Sequence, residues 1–268
     1  MPALARPVAP LATCSRRASL CAALAGALGL AGCMPPIRPL SARMDRVLEP
    51  AVPGQRADTL LVLLPGAYDT PQDFQHQGFV QAVRQRQLPV DLLLLDAHTG
   101  YYTAQQITDR LLHEVVAPAR AEGYARIWLV GISLGGYGAL LFAQQHPQRV
   151  DGLFVMAAFL GRRDLPAAIG QAGGLRAWDG QLDGADAHDL ALWRWLRERA
   201  LSPNAPQPPL WIGYGDSDRF VASNRLIAAT LPPAQVLVTD GGHTWAPWQR
   251  LWGEFLDRHP FHTPGASS

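Results

Sequence analysis

The sequence predicts an α/β fold, a doubly wound and mostly parallel sheet with one long insertion late in the chain. Three observations predict it. Short apolar runs alternate with helical stretches through most of the chain, the rhythm of a mostly parallel sheet. At residues 126–143 an apolar run passes through a glycine-rich turn straight into a helix pattern. The length of 268 residues, with 48% hydrophobic side chains, suits one large domain with a full core.

The first segment stands apart. Arg16-Arg17 precede an apolar run from about 18 to 30, rich in alanine and leucine. That run is short for a bilayer span and has the size of a signal-peptide core. It ends in Leu30-Ala31-Gly32-Cys33, which resembles the bacterial lipobox. The resemblance implies a signal peptide over 1–32 and a lipid on Cys33. Cys14 and Cys21 would leave with the peptide, so the mature chain would hold no disulfide. Ser15-Arg16-Arg17 also resembles a twin-arginine signal, so the export route stays open. A plain secretory peptide or an uncleaved anchor is the alternative. Met34 stands where an aspartate would suggest inner-membrane retention. The expected location is therefore the bacterial cell envelope, on the outer membrane facing the periplasm.

Residues 33–57 are rich in proline and arginine and read as a tether, with a short strand around Val47-Leu48. The body is expected over 58–268. Strands are expected near Leu63, Leu93 and Trp128, separated by helices at about 71–87 and 103–122. Pro118 should break or kink the second helix late. Further strands are expected at 150–159, 210–215 and 235–238, about six in all. The insertion covers about 161–208, too long for a bare connection in a compact domain. It holds a helix at 189–197, with Asp189 or His188 as its cap. Trp178, Trp193 and Trp195 would either line a pocket or pack the insertion onto the body.

The chemistry is concentrated in three segments. Gly131-Ile132-Ser133-Leu134-Gly135 is a G-x-S-x-G sequence between the strand 126–130 and the helix pattern from Tyr137. A serine on such a turn stands clear of the sheet with its hydroxyl exposed. The helix that follows directs its N-terminal N–H groups at the place where negative charge develops. Asp216-Ser217-Asp218 follows the strand 210–215, and Gly241-Gly242-His243-Thr244-Trp245 follows the strand 235–238. The chain order Ser, acid, His places each candidate past the C-terminal end of a strand, where open α/β sheets gather their ligands. His243 would take the serine proton and return it to the leaving group, with an aspartate holding its other nitrogen.

On these segments the chain resembles the α/β-hydrolase superfamily, and within it the small serine esterases, over about residues 58–260. The resemblance implies a serine hydrolase that cleaves carboxylic esters through an acyl-enzyme. The family's spacing points to Asp218 as the acid, with Asp216 the runner-up. It implies an oxyanion hole built from the backbone N–H of Leu134 and of Ala67, with Tyr68 as the alternative to Ala67. Many members carry His-Gly where this chain has Pro65-Gly66. The insertion falls where the family carries a cap over the active site. A thioesterase, lactonase or peptidase would use the same three residues, and a non-catalytic relative would use the pocket for binding.

Composition removes other chemistries. The chain contains no lysine, which excludes a Ser–Lys dyad, a Schiff base and a P-loop. A net charge of +1 without a basic stripe gives no footing for nucleic acid. No metal-ligand spacing is visible, so neither a metal nor another cofactor is expected. The expected partners are a small-molecule ester and the membrane, through the lipid on Cys33. Asp96 and His98, also at the strand edge, would line the pocket or serve as loop hydrogen-bonders. His76, His113, His146 and His188 read as surface residues.

Overall fold

The computed structural model describes residues 37–261. The signal peptide, the lipobox with Cys33, and the tether's first residues lie outside the described residues. The strands are β1 (Arg46–Glu49), β2 (Thr59–Leu64), β3 (Val90–Leu95), β4 (Arg126–Ile132), β5 (Gly152–Met156), β6 (Leu210–Gly215) and β7 (Val236–Thr239). They form a single sheet in the order β1-β3-β2-β4-β5-β6-β7. β2 to β7 run parallel, and β1 runs antiparallel to β3 with Arg46 opposite Leu95. The strand order therefore reverses between β2 and β4. The crevice at their C-terminal ends is where this architecture places a ligand.

Every residue of β2 and β3 is buried, and alternate side chains feed opposite faces. Leu60, Val62 and Leu64 join one core with Leu140 and Trp193. Leu61 and Leu63 join the other with Phe74, Phe79 and Trp252. The sheet is thus covered on both sides, as the doubly wound prediction requires.

The helices refine the expected pattern. The stretch 71–87 divides into α1 (Pro71–His76) and α2 (Phe79–Gln85), because Gly78 turns the chain at φ +77° between them. The next helical stretch begins earlier than expected, with α3 (Thr99–Thr103). It then runs through α4 (Ile107–Arg110), a π-helical segment (Leu111–Val116) and α5 (Ala117–Glu122). Pro118 does not end it. A proline there deprives the Glu114 carbonyl of its usual donor four residues on, and that carbonyl accepts instead from the Arg46 guanidinium. α6 (Leu134–Gln145) follows β4.

The insertion contains α7 (Asp164–Gln171) and α8 (Ala187–Leu201). The cap of α8 is Asp186, rather than His188 or Asp189. Its carboxylate accepts from the backbone N–H groups of both, at 2.9 and 3.1 Å. Asp189 lies in the first turn, where the Tyr137 hydroxyl donates to it at 2.7 Å. Trp193 and Trp178 are buried, and their indole N–H groups donate to the carbonyls of Leu160 and Gln181. Arg199 lies over Trp195 at 5.1 Å. Of the two expected roles, these tryptophans take the packing one. α9 (Val221–Ala228) and α10 (Trp245–Arg258) complete the fold.

The tether boundary expected at residue 58 needs correction, because the compact body begins at Arg38. Arg38 pairs with Asp96, Met44 is buried, and β1 extends the sheet. Asp91 accounts for the rest. This buried carboxylate accepts from Ala51 N–H at 2.8 Å, Ala57 N–H at 3.0 Å and the Tyr124 hydroxyl at 2.7 Å. Burial, and then this hydrogen bond, push the Tyr124 phenol above its ordinary pKa.

Asp91→Ala leaves three donors without their acceptor. It should destabilise the fold by about 3 kcal/mol. Urea unfolding should show the fall as a lower midpoint at similar slope, and an unchanged midpoint would remove Asp91 from this role.

Candidate active site

Ser133 sits between β4 and α6 with φ +53° and ψ −112°, a backbone state that costs energy in any residue but glycine. The surroundings hold it there. Its N–H donates to the Met156 carbonyl at 2.9 Å, and its own carbonyl accepts from Phe159 N–H at 3.0 Å. The flanking glycines are a packing requirement. A Cβ on Gly135 would stand 2.1 Å from the Leu64 carbonyl oxygen, and one on Gly131 would stand 2.3 Å from the Gly135 oxygen. The helix can therefore start hard against the end of β2. Leu134 is the first residue of α6, where N–H groups have no acceptor within the helix.

The three sequence candidates meet here. His243 Nε2 lies 3.0 Å from Ser133 Oγ, and His243 Nδ1 lies 2.8 Å from Asp218 Oδ2. Asp218 is only 2% exposed, and its other oxygen accepts from Phe220 N–H at 2.7 Å. Asp216 is solvent-exposed and turned away from the histidine. Its Oδ1 accepts from Ser217 Oγ and from Gly241 N–H, and these bonds, the serine's first, hold its carboxyl below the usual range. Its N–H donates to the Thr239 carbonyl, while Ser217 N–H donates to the Gly241 carbonyl. Asp216 thus joins the loop after β6 to the loop after β7, the one that carries His243.

Two rings flank the imidazole. Phe220 and Trp248 each stand perpendicular to it, both with centroids 5.0 Å away. A cleft of about 290 Å³ opens at Ser133 and His243. Ala67 and Tyr68 line it from the loop after β2, and Trp245, Trp248 and Arg219 line it from the other side. Asp69 lies within it. Burial first, and then the neighbouring Asp73 charge, raise its carboxyl above the ordinary range, while Gly66 N–H and His243 act in the opposite direction.

Sequence reasoning did not single out Asp69, Arg219, Trp245 or Trp248 as cleft residues. The available signal was adjacency: each stands within a few positions of a motif residue on a loop that reaches the sheet edge. Asp96 and His98 are loop hydrogen-bonders. Asp96 holds Arg38, and His98 Nδ1 accepts from Gly100 N–H at 3.1 Å to cap α3. Desolvation, and then Arg38, keep the His98 imidazole below its usual pKa.

Comparisons with other proteins agree with this architecture. The S-formylglutathione hydrolase FrmB of Staphylococcus aureus superposes with a TM-score of 0.55 at 14% identity, covering 83% of this chain and 99% of that one. Est1E of Butyrivibrio proteoclasticus gives 0.58 at 15% identity, covering 80% and 93%. The fluorophosphonate-binding serine hydrolase FphF of Staphylococcus aureus gives 0.52 at 14%, covering 81% and 98%. At these identities the likeness shows a shared fold. Comparison with curated proteins gives no match. The family match is independent of the superpositions and covers residues 94–259, more than half of the sequence and all three meeting side chains. The chain belongs to the Esterase family, and it is an ester hydrolase built on the α/β-hydrolase fold.

Proposed function

We propose that Ser133, His243 and Asp218 carry out carboxylic ester hydrolysis through an acyl-enzyme. The observation that carries this reading is the unbroken chain of contacts from Ser133 Oγ through His243 to buried Asp218, at 3.0 and 2.8 Å. Ser133 Oγ attacks the ester carbonyl while His243 Nε2 takes its proton. The C=O electrons move onto oxygen, and the resulting anion is held by the backbone N–H groups of Leu134 and Ala67. Collapse expels the alcohol, which receives the proton from His243. Water then attacks the acyl-serine carbonyl while His243 takes its proton, and collapse breaks the bond to Ser133 Oγ, which recovers that proton from His243 as the acid leaves. Asp218 accepts the Nδ1–H throughout. It keeps the proton on Nδ1 and stabilises the imidazolium that forms at each step.

The N-terminal reading is also a proposal. The lipobox-like Leu30-Ala31-Gly32-Cys33 supports a lipid anchor on Cys33 and a place in the bacterial envelope, on the outer membrane facing the periplasm. Several acyl chains give attachment that a single chain does not.

Ser133→Ala should lower kcat on an activated ester by roughly 10⁴- to 10⁶-fold, and should abolish labelling by a fluorophosphonate probe. A folded Ser133→Ala protein with a tenth of the wild-type rate would discard the nucleophile, and a wild type that never labels would favour a binding protein.

The two aspartates separate by role. Asp218→Asn should cost on the order of 10⁴ in kcat, by presenting the wrong histidine tautomer. Asp216→Asn should cost far less, since it alters only how the two loops are joined. The reverse order of losses would make Asp216 the acid.

Mass spectrometry of the mature N-terminus should find a diacylglycerol-modified Cys33, and Cys33→Ser should remove the protein from the detergent phase. An unmodified N-terminus elsewhere rules out the anchor.

A further inference from the structure

The chain has no lysine, so its fixed positive charge rests on arginine. Many of these guanidiniums hold a carboxylate or a backbone carbonyl. Arg219 and Arg163 hold neither among the described residues. The acids closest to them in sequence are committed elsewhere. Asp216 is bound to Ser217 and Gly241, and Asp218 to His243 and Phe220 N–H. Asp164 is bound to Arg162 and to Leu165 N–H.

Both arginines are exposed, and both border the same cavity. Arg219 lines the cleft at Ser133, and it also lines an adjoining cavity of about 220 Å³ whose wall includes Arg163. The rest of that wall is largely apolar, with Pro166, Ala167 and Phe220. The Arg219 guanidinium stacks over Phe220 at 4.9 Å, and the same ring stands 5.0 Å from His243. The positive charge is therefore held one ring away from the imidazole. Asp69 also lines the cleft, yet no ion pair joins it to Arg219. The cleft is consequently polarised, with the Asp69 carboxyl on the loop after β2 and Arg219 across from it, and the second arginine borders the adjoining cavity that Arg219 shares.

We infer that the ester substrate carries an anionic group, a carboxylate or a phosphate, bound by Arg219 and Arg163 where the two cavities meet. The inference rests on the hydrolase reading of Ser133. A guanidinium offers a planar fork that matches either anion bidentately. Two such groups without counter-charges raise the local potential and the local concentration of an anionic substrate. The apolar wall receives the carbon chain between the anion and the scissile carbonyl. Asp69 disfavours the reverse orientation, in which the anion would lie beside the loop after β2.

The test compares kcat/KM for p-nitrophenyl esters of matched acyl length whose far end is a methyl ester, a carboxylate or a phosphate. The wild type should prefer at least one anionic ester, and the preferred one identifies the group. The ratio of anionic to neutral kcat/KM should fall about tenfold in Arg219→Gln, which corresponds to loss of a charge-assisted contact. It should fall less in Arg163→Gln, and in the wild type it should shrink as salt is raised. Arg219→Lys should recover part of the ratio. Hydrolysis of the neutral ester with no anionic preference, or with a preference that both glutamine variants retain, overturns this inference and leaves the hydrolase reading standing. A wild type that cleaves none of the esters and is not labelled at Ser133 overturns both.

Discussion

The site depends on one close approach, that of the first turn of α6 to the end of β2. At 2.1 Å from the Leu64 oxygen there is no room for a Cβ on residue 135. A side chain there would push the helix away from the strand. The helix N-terminus would then lose its place beside the loop that carries Ala67, and the two expected oxyanion donors would separate. The same compression holds Ser133 at a positive φ, because the chain has no other way to leave β4 and enter the helix in one residue. Strain at the serine and order in the cleft have one origin. The strain persists because bonds from Met156 and Phe159 over-determine the backbone.

A second junction brings the base to the serine. The loops after β6 and β7 are pressed together, with a Cβ on Gly215 meeting the Gly241 oxygen at 2.1 Å. Asp216 fastens them by hydrogen bonds, while Asp218, two residues on, turns inward to the imidazole. Two acids one residue apart therefore divide two tasks, one holding the loop and one holding the ring. Phe220 and Trp248 both pack perpendicular to the imidazole, so its tilt does not rest on two hydrogen bonds alone.

Much of this could be read from the sequence, and the gaps have physical reasons. Strands buried on both faces announce themselves as apolar runs, so β2 to β6 lie close to where the sequence places them, and the half-exposed edge strand β7 still shows as Val-Leu-Val. The serine, histidine and aspartate were legible because their chemistry demands particular residues just past strand ends. The N-terminal arm does not show in the sequence as part of the body, because its attachment to Asp91 uses backbone N–H groups, which leave no pattern in residues 51–57. The short strand at Val47-Leu48 was its one visible sign. The division of the 71–87 helix turned on a single glycine. The density of tryptophan in the insertion points to pocket aromatics there, yet burial of those side chains is satisfied by packing on the body. The aromatics that line the cleft, Trp245 and Trp248, belong to α10, whose apolar residues alone gave no reason to place them at the serine.

The arm formed by β1 does more than lengthen the sheet. β3 reads Val-Asp-Leu-Leu-Leu-Leu, and β1 is its partner on the outer side. Without β1, that strand would be a flat, leucine-rich edge with a row of unused N–H and C=O groups, a template for intermolecular pairing. β1 itself is only four residues long and begins with arginine, a poor template for another chain. Evolutionary shortening of this domain from its N-terminal side is therefore limited by solubility before it is limited by catalysis. A descendant that lost the arm would keep its serine, its histidine and its aspartate, and would still meet selection as an aggregating protein.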